Sequence, residues 1–195
     1  VVGVDPARRI TTYELRRHWR ERPMHLAYVM TQERGATDRL LSELAEKLQA
    51  KGIRLAGIAQ TNVECYDKEL CDMDVRVLPG GETIRISQSL GAGARGCRLN
   101  PEALEQAVGL VSATLQSDPA PQLMIVNKFG KHEADGRGMR SVIGEALALG
   151  IPVISGVNKM NVEPFQAFAD GMAVEAGPDL DALVGWAEQA VAETA

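Results

Sequence analysis

The stretch IVNKFGKHEADGRG, residues 125–138, gathers charge of both signs at the end of an apolar run. Lys128, Lys131 and Arg137 are cations, Asn127 is both donor and acceptor, and Glu133 and Asp135 are carboxylates. That set suits an oxyanion clamp, in which charge-assisted hydrogen bonds hold the ligand while Gly136 and Gly138 let the backbone approach it. If the ligand were hydrolysed, Glu133 or Asp135 would orient the water, so these two are the catalytic candidates. A plainer reading stands beside this one: ion pairs within the segment, with Asp135 capping the helix that follows. His132 by itself assigns no metal.

Two other segments carry related chemistry. The window MTQERGAT, residues 30–37, occupies the place where a phosphate-binding loop of the GxxxxGK[ST] kind lies between a first strand and its helix. Gly35 and Thr37 match the second glycine and the hydroxyl residue, while Met30 and Ala36 replace the first glycine and the lysine. That lysine stabilises transferring charge in working enzymes. The window therefore reads as an anion site whose hydrolytic equipment is reduced, with Arg34 as the substitute cation, or else as an ordinary capped turn. Asp38 would order Thr37 or a metal-bound water, or simply favour the first turn of the helix. In QSLGAGARGCRLN, residues 88–100, Arg95 and Arg98 place two fork-shaped donors in glycine-rich backbone. This fits a phosphate or another tetrahedral oxyanion, or a loop that closes over one. NKFG at 127–130 is comparable to the guanine-reading NKxD box, but Gly130 stands where the carboxylate belongs, so guanine recognition is not expected. Cys65, Cys71 and Cys97, even with Asp72 and Asp74, are spaced too loosely for zinc, and no metal site is assigned.

The elements that must position these segments are legible from periodicity. HLAYVM (25–30) reads as a buried strand, residues 39–52 as a helix with Leu40, Leu41, Leu44, Ala45 and Leu48 on one face, and 53–60 as a second strand. Thr37 is the expected cap of that helix and Gly52 its end. Residues 74–87 alternate around PGGE as a half-exposed hairpin. Asn100 and Pro101 open a further helix, residues 121–128 form a strand, 136–149 a helix and 151–157 a strand. A short helix near 162–168, a strand near 171–174 and a final helix with Leu180, Leu183, Val184, Ala187 and Val191 inward complete the pattern. Strands alternating with helices predict an α/β domain of three layers, mostly parallel, with a β-hairpin excursion. Open parallel sheets bind ligands beyond the carboxyl ends of their strands, which brings 31–38, 60–72, 127–137 and 155–161 together.

Composition sets the outer limits. The 195 residues are 45% apolar but only 4% aromatic, so the core must be aliphatic. A net charge of −5 argues against nucleic acid as a partner and leaves room for a local basic pocket. Three cysteines without CxxC spacing point to a reducing, cytoplasmic setting. No run approaches the roughly 20 apolar residues of a transmembrane span, and the opening is not expected to be a secretory signal. Residues 1–24 form an arginine-rich N-terminal extension, with arginines at 8, 9, 16, 17, 20 and 22, and residues 25–195 the P-loop-like domain. The extension is either a solvated helix or, through residues 1–22, the docking point for a protein partner.

Residues 25–158 resemble the DUF2478 family, bacterial proteins discussed with molybdenum-transport genes. The resemblance rests on RGATDRLLSELAEKL, GIRLAGIAQTN, CDMDVRVLPGG, IRISQSLGAGARGCRLN, LMIVNKFGKHEADGRGMRSVIGEAL and IPVISGVN together. More distantly the chain resembles THEP1-type P-loop nucleoside-triphosphatases, whose phosphate loop would fall on residues 30–37 and whose acidic DExGKxE-like segment on 127–133. Gly130, Lys131 and Glu133 match that segment. Asn127 and Lys128 stand where the acidic pair would coordinate magnesium and position water. These resemblances imply a nucleotide- or oxyanion-binding accessory or regulatory protein linked to molybdate metabolism. Its ligand would be a nucleotide with Mg2+, or molybdate or tungstate. The alternatives are a divergent nucleoside-triphosphatase or phosphotransferase, and a structural adaptor module.

Overall fold

A strand that is apolar at every position needs cover on both faces, and β1 (Leu26–Val29) has it: all four residues are buried. The structure, a computed structural model, describes residues 25–33, 35–62, 72–88 and 99–194. Seven strands form one sheet in the order β4-β3-β2-β5-β6-β1-β7. β2 (Leu55–Asn62), β5 (Leu123–Phe129), β6 (Val153–Val157), β1 and β7 (Val174–Ala176) run parallel. β3 (Met73–Val77) and β4 (Thr83–Arg85) add the expected hairpin, antiparallel, at one edge.

Side-chain alternation along the central strands builds two cores. Ala27, Val29, Ile125 and Ile154 face α1 (Ala36–Ala50) and α6 (Leu180–Thr194), meeting Leu41, Leu44, Leu48, Leu183 and Ala187. Leu26, Tyr28, Met124, Val126 and Val153 face the other way. They meet α2 (Pro101–Leu115), α4 (Arg140–Ala148) and α5 (Val162–Phe168). The result is the three-layer α/β architecture that the alternating pattern implies.

Helix boundaries follow local chemistry, with instructive departures. Asn100 caps α2 through its side chain, accepting from the Glu102 and Ala103 amides, and Pro101 occupies the first helical position. Asn100→Ala should cost about 1 kcal/mol of stability, read as a lowered denaturant midpoint with an unchanged slope. Thr37 does not cap α1: Gly35 holds the cap position at φ 76, and no side chain caps the helix. The helix expected over 136–149 starts only at Arg140, as α4, after a separate short α3 (Lys131–Ala134), because Gly136 and Gly138 turn the chain at φ 88 and 59. Left-handed backbone at Asp170 and Gly171 similarly closes α5 and delays β7 to Val174.

The connections decide where a ligand belongs. The link from β1 runs through α1 on one face to β2, whereas the link from β6 runs through α5 on the opposite face to β7. Adjacent β1 and β6 therefore define a topological switch point, and the crevice opens at their carboxyl ends. At this same edge β3 starts opposite the end of β2 (Asn62↔Met73), and the Met73 amide donates to Ser87 beyond β4. No helix of the described residues is long and apolar enough to cross a membrane.

Candidate functional site

The crevice is floored by close backbone packing. β6 ends Ser155-Gly156-Val157, and a Cβ at Gly156 would lie 2.3 Å from the Asn127 carbonyl oxygen, 2.9 Å from Thr37 Cγ2 and 3.1 Å from Leu41 Cδ1. A glycine here is what lets the first turn of α1 settle against the ends of β5 and β6. The first amides of a helix lack intrahelical acceptors and carry the positive end of its dipole. The 15-residue α1 presents that end to the crevice.

The loop before α1 folds back on itself. The Thr31 amide donates to Thr37 Oγ1 at 3.2 Å, and the two threonine hydroxyls lie 2.8 Å apart. Thr37 is thus engaged with its own loop. One residue on, Asp38 Oδ1 accepts from Asn127 Nδ2 at 3.0 Å. The same amide nitrogen donates to Gln60 Oε1 at 3.1 Å, and Asn127 Oδ1 accepts from the Gln60 backbone amide, also at 3.1 Å. With Asn127 only 3% exposed, this network is the internal wall of the crevice. Asn127→Leu removes the acceptor of the Gln60 amide and the donor to Asp38, and should lower stability by about 1–2 kcal/mol in a thermal or denaturant melt.

The cations sit differently. A register shift separates Val126 from Phe129 in the β5–β6 pairing. Asn127 points in, Lys128 is exposed, and Phe129 is buried again against Phe165, with ring centroids 5.0 Å apart. Lys131 is exposed at the start of α3, and no described carboxylate pairs with it or with Lys128. Arg137 is exposed and lies 3.5 Å from Asp135. Asp135 ends α3 instead of starting the next helix, which begins from Met139.

Glu133 is the outlier among the charged residues. It is 5% exposed, and its two carboxylate oxygens accept from the Gly130 amide at 2.9 Å and the Met139 amide at 3.2 Å.

The fold thus brings Gly35, Thr37 and Asn127 together at the crevice and sets Lys128, Lys131 and Arg137 exposed on strand-end segments of the same sheet edge. Arg34, Arg95, Arg98 and the three cysteines lie outside the described residues, as does the arginine-rich extension. Among the described residues no group of three or more His, Cys, Asp and Glu side chains converges as a metal site. Sequence reading passed over Gln60 and Gly156. A glycine near the end of a buried strand was the available signal for the second; nothing local marked the first.

A parallel sheet with its crevice between β1 and β6, and a glycine-led helix entering it, defines a P-loop-like α/β domain. The solution structure of a human cancer-related nucleoside triphosphatase shares this fold, with a TM-score of 0.55 over 86% of this chain and 96% of that one, at 15% identity. The chain belongs to the DUF2478 family, described as a protein of unknown function, whose pattern matches residues 26–186. It is also 31% identical over 166 residues to the molybdenum import ATP-binding protein ModC 2 of Bradyrhizobium diazoefficiens. That match covers 84% of this chain and 18% of that protein, so the chain spans only a small part of this curated relative.

Proposed function

We propose that this domain binds a small oxyanion, or the phosphate of a nucleotide, at the carboxyl edge of its sheet. Its role would be an accessory or regulatory one in molybdate handling. The observation that carries the reading is the crevice itself: the amino end of α1, seated against Gly156 at the switch point, with Lys128 and Lys131, which no described carboxylate pairs, on strand-end segments of the same edge. Arg34, Arg95, Arg98 and Arg137 would add further donors. Molybdate, tungstate and phosphate are all oxyanions that backbone amides and Arg or Lys donors suit. The molybdenum link draws on the name of the partial relative, a molybdenum import ATP-binding protein.

A nucleotide-bound Mg2+ is a poorer fit. Among the described residues Thr37 and Asp38 offer oxygen ligands at the start of α1, and both are already hydrogen-bonded, to Thr31 and Asn127. Asn127 itself is neutral where a magnesium site calls for a carboxylate. The shared fold with a nucleoside triphosphatase is the observation that favours the enzymatic alternative. Phosphate release from ATP or GTP with Mg2+ by purified protein, lost in Asp135→Asn, would move the reading from binding to catalysis. Calorimetric titration with molybdate, tungstate, phosphate and ADP tests the binding reading directly: at least one should give saturable heat.

A further inference from the structure

The loop from Gly130 to Met139 joins β5 to α4 and carries Lys131 and Arg137, yet it is pinned by a single buried carboxylate. Burying a carboxylate is costly unless hydrogen bonds replace its water. Glu133 meets that cost with two backbone amides, Gly130 at one end of the loop and Met139 at the other. Met139 is the cap residue of the nine-residue α4, so the negative charge also sits at the favourable end of that helix. The packing leaves no slack: a Cβ at Gly138 would lie 2.5 Å from Glu133 Oε1 and 2.9 Å from His132 Cδ2. From the other side, Glu105 of α2 accepts from the Gly138 amide at 3.1 Å. Arg140 donates to the Glu133 backbone oxygen at 3.3 Å, while its guanidinium lies 4.6 Å over Phe168.

We propose that Glu133 is a positioning residue, a clip that fixes the shape of the Gly130–Met139 loop and so sets how Lys131 and Arg137 meet an anion at the sheet edge. The proposal deepens the anion-binding reading and rests on it for its ligand. With both oxygens holding amides and the side chain almost wholly enclosed, Glu133 presents nothing to a water unless the clip opens. Its negative charge serves loop geometry.

The test uses the full chain, with molybdate and inorganic phosphate as probes. Glu133→Gln is nearly the same shape, but one of its terminal atoms becomes a donor facing an amide donor. Hydrogen exchange at the Gly130 and Met139 amides should accelerate about tenfold or more, the equivalent of one charge-assisted hydrogen bond. Affinity for the bound probe should fall by a similar factor while the protein remains folded by circular dichroism. Lys131→Met should lose affinity but keep the amide protection. Equal affinity in wild type and Glu133→Gln would overturn the positioning role and leave the binding reading intact. No binding by wild type of these two probes, nor of tungstate or ADP, would instead sink the binding reading, and the positioning role with it. Should Glu133→Gln fail to fold, the wild-type amides decide: rapid exchange at Gly130 and Met139 means there is no clip.

Discussion

Gly156→Ala is expected to lower stability by about 3 kcal/mol or more, at the severe end of overpacking, and to abolish ligand binding. The nearest atom to the added methyl would be the Asn127 carbonyl oxygen at 2.3 Å, and backbone in the middle of a sheet cannot swing aside as a long side chain can. Thr37 Cγ2 and Leu41 Cδ1 close the other side. Relief requires either parting β5 from β6 or lifting the start of α1 off the sheet, and each dismantles the crevice. Chemical denaturation would measure the first effect and calorimetry the second. A variant that is stable and still binds would show that α1 need not approach so closely.

The second large effect concerns charge. The double substitution Lys128→Met with Lys131→Met should reduce anion affinity about a hundredfold, roughly tenfold for each charge-assisted hydrogen bond lost. Both side chains are exposed and neither pairs with a described carboxylate, so their removal leaves no buried partner behind and stability should change little. Arg137 is expected to matter less, because Asp135 already lies 3.5 Å from its guanidinium. Rising salt should weaken wild-type binding more than binding by the double variant, since only the former depends on those exposed charges.

How much of this was open to a reader of the sequence depends on whether the controlling contact is local. The cap at Asn100-Pro101 and the buried face of α2, from Leu104 to Leu115, follow from spacings within one helix, and the structure has both. The hairpin around PGGE is equally local, and it lies where alternation put it. The split between α3 and α4 was harder. Glycines at 136 and 138 were read as allowing close approach to a ligand near a helix start, whereas their left-handed backbone ends one helix before the next begins. Strand order depends on which faces α1 and α5 cover, and periodicity carries no such information.

The candidate site divides in the same way. Gly35 could be placed between a strand and a helix, and Thr37 near the start of that helix, from their neighbours alone. The use made of Thr37 could not, because its partner is the Thr31 hydroxyl and not the helix end. The Asp38–Asn127 contact joins residues far apart in the chain, and a carboxamide in place of an expected acid gave only the hint that the chemistry differs. Glu133 shows the limit most clearly. A carboxylate in a motif-like position suggested water activation, and nothing in the motif marked the Gly130 and Met139 amides from which it accepts.

The most direct test of the central claim is a nitrogen–proton correlation spectrum of the labelled full chain, titrated with molybdate, tungstate, phosphate and ATP. A ligand seated at the switch point should shift the amides of residues 35–38, Gly156 and residues 128–131 most strongly and saturably. Shifts confined to another face of the sheet, or none with any of the four, would contradict a binding site at the carboxyl edge.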